Sequence, residues 1–271
     1  MGINSKTIVR SILIILVTIA FVFPVWNMIS ASFSSKLAVE EGRLLIPDGY
    51  LGNWERALSG SWAEGLVNSL IITISSVLFT LLISFPAAYV ISRYHFMADK
   101  HIFFWFLATR MAPAAALVLP YLVIFRAVGL WDTIPGVVIA YFGFNIPLSV
   151  WLFTSFMSVI PKEIDNQAFI DGYSLWAYFR KIFIPLCMPA IGVVSFFTWF
   201  FSWSDMFFAT VLTSFQSKPL NALLMVTLGR VGYGVEYGLA SAAGVITIIP
   251  GLVLLYWAKT YLSKGFTFGR I

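Results

Sequence analysis

Residues 65–92 read GLVNSLIITISSVLFTLLISFPAAYVIS and contain no Asp, Glu, Lys or Arg. A helix needs about 20 mainly apolar residues to cross the hydrocarbon core of a bilayer. In lipid, a spanning segment must also satisfy its own backbone hydrogen bonds, as an α-helix does. This stretch therefore predicts a transmembrane α-helix.

Five other segments of the chain also have the length and the low charge of a transmembrane helix. The four charged residue types are also absent from residues 11–35, 133–161, 182–204 and 237–258, and residues 102–125 contain only Arg110. We therefore expect one all-α, polytopic transmembrane domain over residues 1–271. Its six helices are expected at about 9–31, 65–92, 102–125, 133–159, 186–212 and 238–259.

The composition supports a protein whose solvent is mostly lipid. Of 271 residues, 60% are hydrophobic and 11% are charged, whereas soluble domains carry about 25% charged residues. The apolar content excludes a disordered chain. Cys187 is the only cysteine, so a disulfide scaffold within the chain is also excluded.

The first apolar stretch has two interpretations. Lys6 and Arg10, followed by residues 12–23, could form the basic and apolar regions of a signal peptide, with a weak cleavage site at residues 30–32. The apolar run continues through Trp26, which is too far for a typical signal peptide. We expect it to be retained as the first helix.

The distribution of basic residues predicts the orientation. If the N-terminus is cytoplasmic, ten of the 17 Lys and Arg residues fall in inner connections and six in outer ones. Basic residues concentrate on the cytoplasmic side of membrane proteins. We therefore expect both termini in the cytoplasm.

Two connections are longer than simple turns. Residues 33–62 contain Pro47-Asp48-Gly49 and are expected to form an outer cap, with a helical turn over residues 53–58. On the inner side, Pro161 should end the fourth span. Gly172 should then close a short helix that begins near Lys162.

A second amphipathic stretch follows at residues 175–181, so residues 160–186 (the 160–186 loop) predict a helix–glycine–helix element. Such an element could lie on lipid headgroups. Alternatively, it could dock onto a soluble cytoplasmic partner.

The spacing of Ala168, Asp171-Gly172 and Pro185, thirteen residues after the glycine, resembles the "EAA" loop of permease subunits of bacterial ATP-binding-cassette (ABC) importers. Trp203-Ser204-Asp205 resembles an aromatic-Asn-Asp/Glu element in the fifth span of the carbohydrate branch. The similarity covers essentially the whole chain and is closest to the maltose-permease G-type subunit.

The resemblance implies an ATPase-coupling role for ten residues of the loop. One departure is that Asn166-Gln167 stand where the family has Glu-Ala. Glu163 or Asp165 could substitute for the missing carboxylate, or the second permease could make the stronger contact with the ATPase. The expected coupling residues are Glu163, Asp165, Asn166, Gln167, Ala168, Asp171, Gly172, Phe179, Arg180 and Pro185.

The resemblance also implies the function: a permease subunit of the bacterial inner membrane for a sugar, a polyol (glycerol included) or a sugar phosphate. A solute-binding protein would deliver the solute, a second, different permease would complete the path, and two partner ATPases would bind ATP and Mg. The alternatives are an importer of a non-carbohydrate solute, or a membrane scaffold or enzyme.

Nothing in the sequence indicates catalysis or a cofactor bound by this chain. It contains no phosphate-binding Gly-x-x-x-x-Gly-Lys-Ser/Thr motif. His95 and His101 make no metal-ligand spacing with Cys187, and no nucleic-acid motif is present. We therefore expect a non-catalytic subunit with no metal site.

Two charged residues fall inside predicted spans, where a charge is costly unless it faces a partner or a cavity. Arg110 lies in a third span that Pro113 and Pro120 should kink, and Asp205 lies in the fifth. They could pair with each other or with the second permease, or they could line the solute path.

Trp199, Trp203 and Phe207 recur every four residues and are expected on one helical face, for packing or for stacking on a sugar. The candidate path residues are Arg110, Asn145, Trp199, Trp203 and Asp205.

Overall fold

The computed structural model describes residues 5–43, 45–94, 99–229 and 236–268, in which all regular structure is helical. The helices are α1 (Ser5–Ser32), α2 (Lys36–Glu40), α3 (Gly52–Ala57), α4 (Gly60–Arg93), α5 (Asp99–Met111), α6 (Ala114–Ala127), α7 (Ile134–Met157), α8 (Lys162–Ile170), α9 (Leu175–Tyr178), α10 (Ile184–Leu186), α11 (Met188–Ser204), α12 (Phe207–Leu212), α13 (Leu220–Leu228) and α14 (Tyr237–Phe268). A π-helical turn over Phe179–Phe183 joins α9 to α10.

Four of these helices are long and apolar enough to cross a membrane. They contain the candidate spans Val9–Ser32, Gly60–Arg93, Ile134–Met157 and Tyr237–Lys259. Two further spans are possible as bent pairs: Phe104–Met111 with Ala116–Ala127, and Leu175–Leu186 with Met188–Ser204. If each bent pair is one span, the described residues supply six, and the expected all-α polytopic fold is confirmed.

The third span is broken where its first proline stands. Helix α5 ends at Met111 and α6 begins at Ala114, with Pro113 in an extended conformation between them (φ −64°, ψ 136°). A proline disfavours helical geometry in the residue before it, here Ala112. Pro120, in contrast, lies inside α6 and does not end it.

The fifth span differs from the single helix expected over residues 186–212. It is divided at Cys187 and again at Asp205, whose backbone is extended (φ −67°, ψ 129°). The Asp205 carboxylate accepts a hydrogen bond from the backbone N–H of Ala209 at 3.0 Å. An aspartate that bonds nearby backbone groups competes with the helix itself, which explains the break.

The described residues fall into two compact units, one within residues 1–64 and 223–249 and the other within 65–222 and 250–271. In the first unit, residues 33–62 contain α2 and α3, so the turn expected at 53–58 is present as Gly52–Ala57. Asp48 accepts hydrogen bonds from the hydroxyl and the N–H of Ser35, which lower the pKa of this carboxyl.

The second unit has two buried clusters, and α4 and α7 contribute to both. One cluster contains Ile72, Val137 and Phe208. The other contains Phe153 together with Tyr178 and Phe183 of the 160–186 loop. The loop is therefore part of the hydrophobic core of this unit.

Candidate functional site

The 160–186 loop has the helix–glycine–helix form that the sequence predicts. Helix α8 ends in a Schellman motif, in which the N–H of Gly172 bonds to the carbonyl of Phe169 at 3.1 Å and that of Tyr173 to the carbonyl of Ala168 at 3.0 Å. Gly172 has φ = +81°, a left-handed conformation that costs glycine little and other residues more. This turn sets the direction in which the chain leaves α8.

The second half of the loop starts from a capped helix. The hydroxyl of Ser174 accepts a hydrogen bond from the N–H of Ala177 and so caps α9. The π-helical turn Phe179–Phe183 follows, and its two phenylalanines contact Tyr89 of α4 edge to face, at 4.7 and 4.9 Å between ring centroids. These rings fix the return of the chain toward α11.

The turn between α8 and α9 presents an apolar tip. Ile170 is 80% exposed and Trp176 is 76% exposed, and Phe169, Tyr173 and Leu175 are exposed beside them. Exposed apolar clusters of this kind mark sites that bind another protein or a membrane. We call these five residues the apolar tip.

The predicted coupling residues divide into two groups by burial. Those that are exposed and available to a partner are Glu163, Asn166, Gln167, Asp171, Gly172, Arg180 and Pro185. Ala168 and Asp165 are buried and Phe179 is half-buried.

Asp165, one of the two residues expected to substitute for the missing carboxylate of the loop, is not presented at the surface of this chain. Asp165 is only 7% exposed. Its carboxylate is engaged by the Arg93 guanidinium, with an N···O distance of 2.6 Å, and by the hydroxyl of Tyr178. A carboxylate held on both sides within the chain is not presented to a partner.

The second candidate region is a cavity of about 200 Å³ between α7, α11 and α12. Its aromatic lining is Tyr141, Phe144, Phe201 and Phe208. Its polar lining is Asn145, Ser202, Ser204 and Asp205. We call it the α7–α11 cavity.

Three hydrogen bonds join α7 to the fifth span, one on each successive turn. Tyr141 donates to Asp205 at 2.8 Å, and Asn145 donates to Ser202 at 3.1 Å. The hydroxyls of Ser149 and Thr198 lie 3.3 Å apart. This ladder fixes the register of the two helices, and its first two bonds involve groups that line the α7–α11 cavity.

Asn145 also has a spare polar atom. Its side chain is 2% exposed, and its amide oxygen makes no hydrogen bond within the described part of the chain. A buried unpaired acceptor costs free energy unless a water or a solute satisfies it. Asn145 therefore brings a buried, unpaired acceptor to the wall of this cavity.

Arg110 and Asp205 do not pair with each other among the described residues, contrary to one of the expected alternatives. The Arg110 guanidinium lies over the rings of Phe144 and Phe201, at 4.1 and 4.3 Å from their centroids. It also donates to the carbonyl of Phe144 at 3.2 Å. Cation–π contacts and a carbonyl thus hold Arg110 beside two rings that line the cavity.

The prediction that Trp199, Trp203 and Phe207 lie on one helical face is only partly correct. The two indole rings stack, with centroids 5.7 Å apart and an interplanar angle of 15°. Phe207 belongs to α12, after the break at Asp205, and so does not continue the α11 face. Neither tryptophan lines the α7–α11 cavity, which favours helix packing as their role.

Among the residues that the structure describes, no group of three His, Cys, Asp or Glu side chains could hold a metal ion. Cys187 is buried within the second core cluster. His101 lies in α5, and His95 lies outside the described residues.

The sequence interpretation missed Tyr141, Ser149, Thr198 and Ser202. The missed signal was the regular spacing of polar residues, four apart on α7 and on α11, with Asp205 three residues after the last of them. In otherwise apolar helices, this spacing places the polar groups on one face, where another helix can satisfy them.

The model of the family described as "Binding-protein-dependent transport system inner membrane component" matches residues 80–268. The chain is similar to the trehalose transport system permease protein SugB of Mycobacterium tuberculosis, with 26% identity over 92% of this chain and 91% of that protein.

A probable ABC transporter permease protein of Pyrococcus horikoshii is 31% identical over 74% of this chain and 72% of its own length. The fold is similar to a chain in the crystal structure of a bacterial ABC transporter involved in the import of the acidic polysaccharide alginate, with a TM-score of 0.82. That match covers 96% of this chain and 99% of the other at 22% identity, so it bears on the fold alone.

Proposed function

Because this chain belongs to the binding-protein-dependent transport system inner membrane component family, we propose that it forms part of the path by which an ABC importer takes up a sugar, a polyol such as glycerol, or a sugar phosphate. It is a multi-pass permease subunit of the bacterial inner membrane and is itself non-catalytic. Beyond family membership, we propose the class of solute and the residues responsible for its transport.

The proposed class of solute is supported by the residues that line the α7–α11 cavity. Sugars and polyols present C–H faces that pack on aromatic rings, together with hydroxyls that need donors and acceptors. The cavity offers four aromatic rings beside an unpaired amide oxygen, two serine hydroxyls and a carboxylate. Several relatives point the same way by name, including a trehalose permease and a diacetylchitobiose permease.

In this proposal Asn145 and Asp205 line the path, and Arg110 holds the rings of Phe144 and Phe201 that face it. Trp199 and Trp203 act indirectly, through their packing contacts on α11. The three-rung ladder keeps α7 and α11 in register while solute passes.

The proposed source of energy is a pair of partner ATPases that bind ATP and Mg. The 160–186 loop supports this role because its apolar tip is exposed while its base is buried in the core. The tip would sit in a groove of an ATPase, and closure of the ATPases on ATP would displace it. ATP then shifts the balance between two packings of the permease by binding to one of them more tightly.

Two further partners complete the proposed assembly. A second, different permease would supply the other half of the path, giving a heterodimer. An extracytoplasmic solute-binding protein would deliver the solute. A solved structure of an alginate ABC transporter in complex with a periplasmic protein has a related fold, with a TM-score of 0.68 at 15% identity.

The test is to express the chain with its binding protein, second permease and ATPase, and to measure solute binding by the binding protein calorimetrically. The panel is trehalose, maltose, glycerol, glycerol 3-phosphate and a mixture of amino acids. Uptake into proteoliposomes is then measured for whichever compound binds. Binding and ATP-dependent uptake of one of the first four compounds is the expected result.

A binding protein that takes only amino acids would overturn the carbohydrate assignment and favour a non-carbohydrate importer. Asn145→Leu, in the same liposomes, connects the result to the cavity. We expect uptake to fall while solute binding by the binding protein is unchanged, because Asn145 acts after delivery.

A further inference from the structure

Arg93, the last residue of α4, is buried although it carries a charge: it is 8% exposed. One of its terminal nitrogens donates to the carbonyls of Met157 and Ile160 at 2.9 and 3.1 Å. Its Nε lies 2.6 Å from the Asp165 carboxylate. A single side chain thus joins α4, the end of α7 and the coupling helix α8.

Two further contacts strengthen this junction. Lys162 at the start of α8 donates to the backbone carbonyl of Arg93 at 3.0 Å and so caps the end of α4. Tyr178, which is fully buried at the end of α9, donates its hydroxyl to Asp165. Both helices of the 160–186 loop are therefore tied to the same carboxylate–guanidinium pair.

Aromatic rings pack around the Arg93–Asp165 pair and exclude water from it. Phe85 and Tyr89 of α4 contact Phe183 edge to face, and the Arg93 guanidinium lies 5.2 Å from the centroid of that ring. A buried ion pair is costly to separate, because each charge left alone is poorly solvated. Such a pair therefore resists the loop sliding or tilting relative to α4.

We propose that Arg93, Asp165 and Tyr178 are positioning residues that clasp the 160–186 loop to the inner end of α4. The second span, which is remote from the loop in sequence, then moves with the loop as one body when the partner ATPases close. Displacement of the apolar tip reaches α4 directly through the clasp, in addition to α7 and α11 at the two ends of the loop. This inference rests on the proposed docking of the loop onto an ATPase, but not on the identity of the solute.

The direct test measures a distance in the complete importer. Spin labels are placed at Tyr94→Cys, one residue beyond α4, and at Lys181→Cys in the π-helical turn, with Cys187 replaced by Ser. Both positions are exposed. Distances are recorded without nucleotide and after trapping with ATP and vanadate.

We expect one narrow distance that is the same in both states. The clasp is overturned if that distance shifts or broadens on trapping in the otherwise unchanged protein. Since this measurement leaves Arg93, Asp165 and Tyr178 unaltered, it does not depend on how well a variant of the clasp folds.

Variants then test whether the clasp matters for coupling. Asp165→Asn keeps the volume but removes the charge, and Tyr178→Phe removes one hydrogen bond. We expect both to copurify with the ATPase and to hydrolyse ATP, while the label distance broadens. Stimulation of hydrolysis by the solute-loaded binding protein should fall about tenfold, within the range of typical coupling energies.

Arg126→Lys is the matched control for Arg93→Lys, because Arg126 is an exposed arginine at the end of another helix. It should leave stimulation unchanged, whereas Arg93→Lys should lower it. Loss of assembly together with basal hydrolysis in Tyr178→Phe, the mildest change, would indicate a purely structural role. A wrong solute class would instead appear as failed solute binding in calorimetry and would leave the label distance as it is.

Discussion

Replacement of Gly172 by Val tests the link between the shape of the 160–186 loop and transport. Gly172 has φ = +81°, and a Cβ placed on it would meet no heavy atom of this chain within 4 Å. The cost of a side chain within this chain is therefore backbone strain and not a steric clash. The strain acts on the turn that joins α8 to α9 and so on the geometry of the apolar tip.

The left-handed conformation costs an ordinary L-residue about 1–2 kcal/mol, and it is a genuine outlier for β-branched residues. We therefore assign about 1 kcal/mol to Gly172→Ala and about 2 kcal/mol to Gly172→Val. These free energies correspond to roughly 5-fold and 30-fold losses in the population of the native turn. Gly172→Asn should cost least, because asparagine tolerates this conformation.

The assay is ATP hydrolysis stimulated by the solute-loaded binding protein, measured with uptake in proteoliposomes. We expect both activities to fall in the order Asn, Ala, Val, while the permease carrying each of the three variants still inserts and assembles with its partners. The control is Gly251→Ala inside α14, a helical glycine whose φ is not positive and where an added Cβ meets no heavy atom within 4 Å; it should leave both activities near normal.

Two results would refute this reasoning. Normal stimulated hydrolysis in Gly172→Val would remove the loop from the coupling pathway. An effect of Gly172→Asn larger than that of Gly172→Ala would mean that side-chain bulk against a partner matters, and not the backbone conformation.

Three other predictions concern Asp132 and the α7–α11 cavity. Asp132→Asn should lower the free energy of unfolding by about 1–3 kcal/mol. Burial alone would raise the pKa of the Asp132 carboxyl, but hydrogen bonds from four backbone N–H groups outweigh this effect and lower the pKa. That stabilisation is present above the ordinary carboxyl pKa and is lost as pH falls through the lowered one, so thermal melts of wild type and variant should converge at acid pH. Tyr141→Phe should weaken solute-dependent uptake without changing basal hydrolysis, since the Asp205 carboxylate loses one donor while its bond to Ala209 remains; unchanged uptake would remove this rung from the path. Phe201→Leu should raise the solute concentration for half-maximal uptake about tenfold, for a loss of about 1.4 kcal/mol of aromatic contact, and an unchanged value would exclude this ring from solute contact.

The 160–186 loop shows which structural features can be predicted from residues that are close together in the sequence. Pro161 and Gly172 determine where α8 begins and ends, because each acts on its own backbone, and the structure has both boundaries where the sequence predicts them. The role of Asp165 could not be predicted in this way. Its partners Arg93 and Tyr178 lie 72 and 13 residues away, and only folding brings them to it.

The fifth span shows the limit of hydropathy. Residues 186–212 are apolar enough for one helix, but Asp205 bonds backbone and tyrosine groups nearby and ends α11. Hydropathy measures the preference of a segment for lipid and is insensitive to one side chain that competes for backbone hydrogen bonds.

By itself, the sequence determined that the chain is an all-α membrane protein, where its long apolar helices lie, and that a helix–glycine–helix loop interrupts them. These properties follow from local physics, since hydropathy and backbone preference depend on residues close together in the chain. The tertiary structure alone decided that Asp165 is buried, that Arg110 contacts aromatic rings and not Asp205, and that a polar ladder joins α7 to α11. These are contacts between distant residues, whose free energies depend on burial and geometry that exist only after folding.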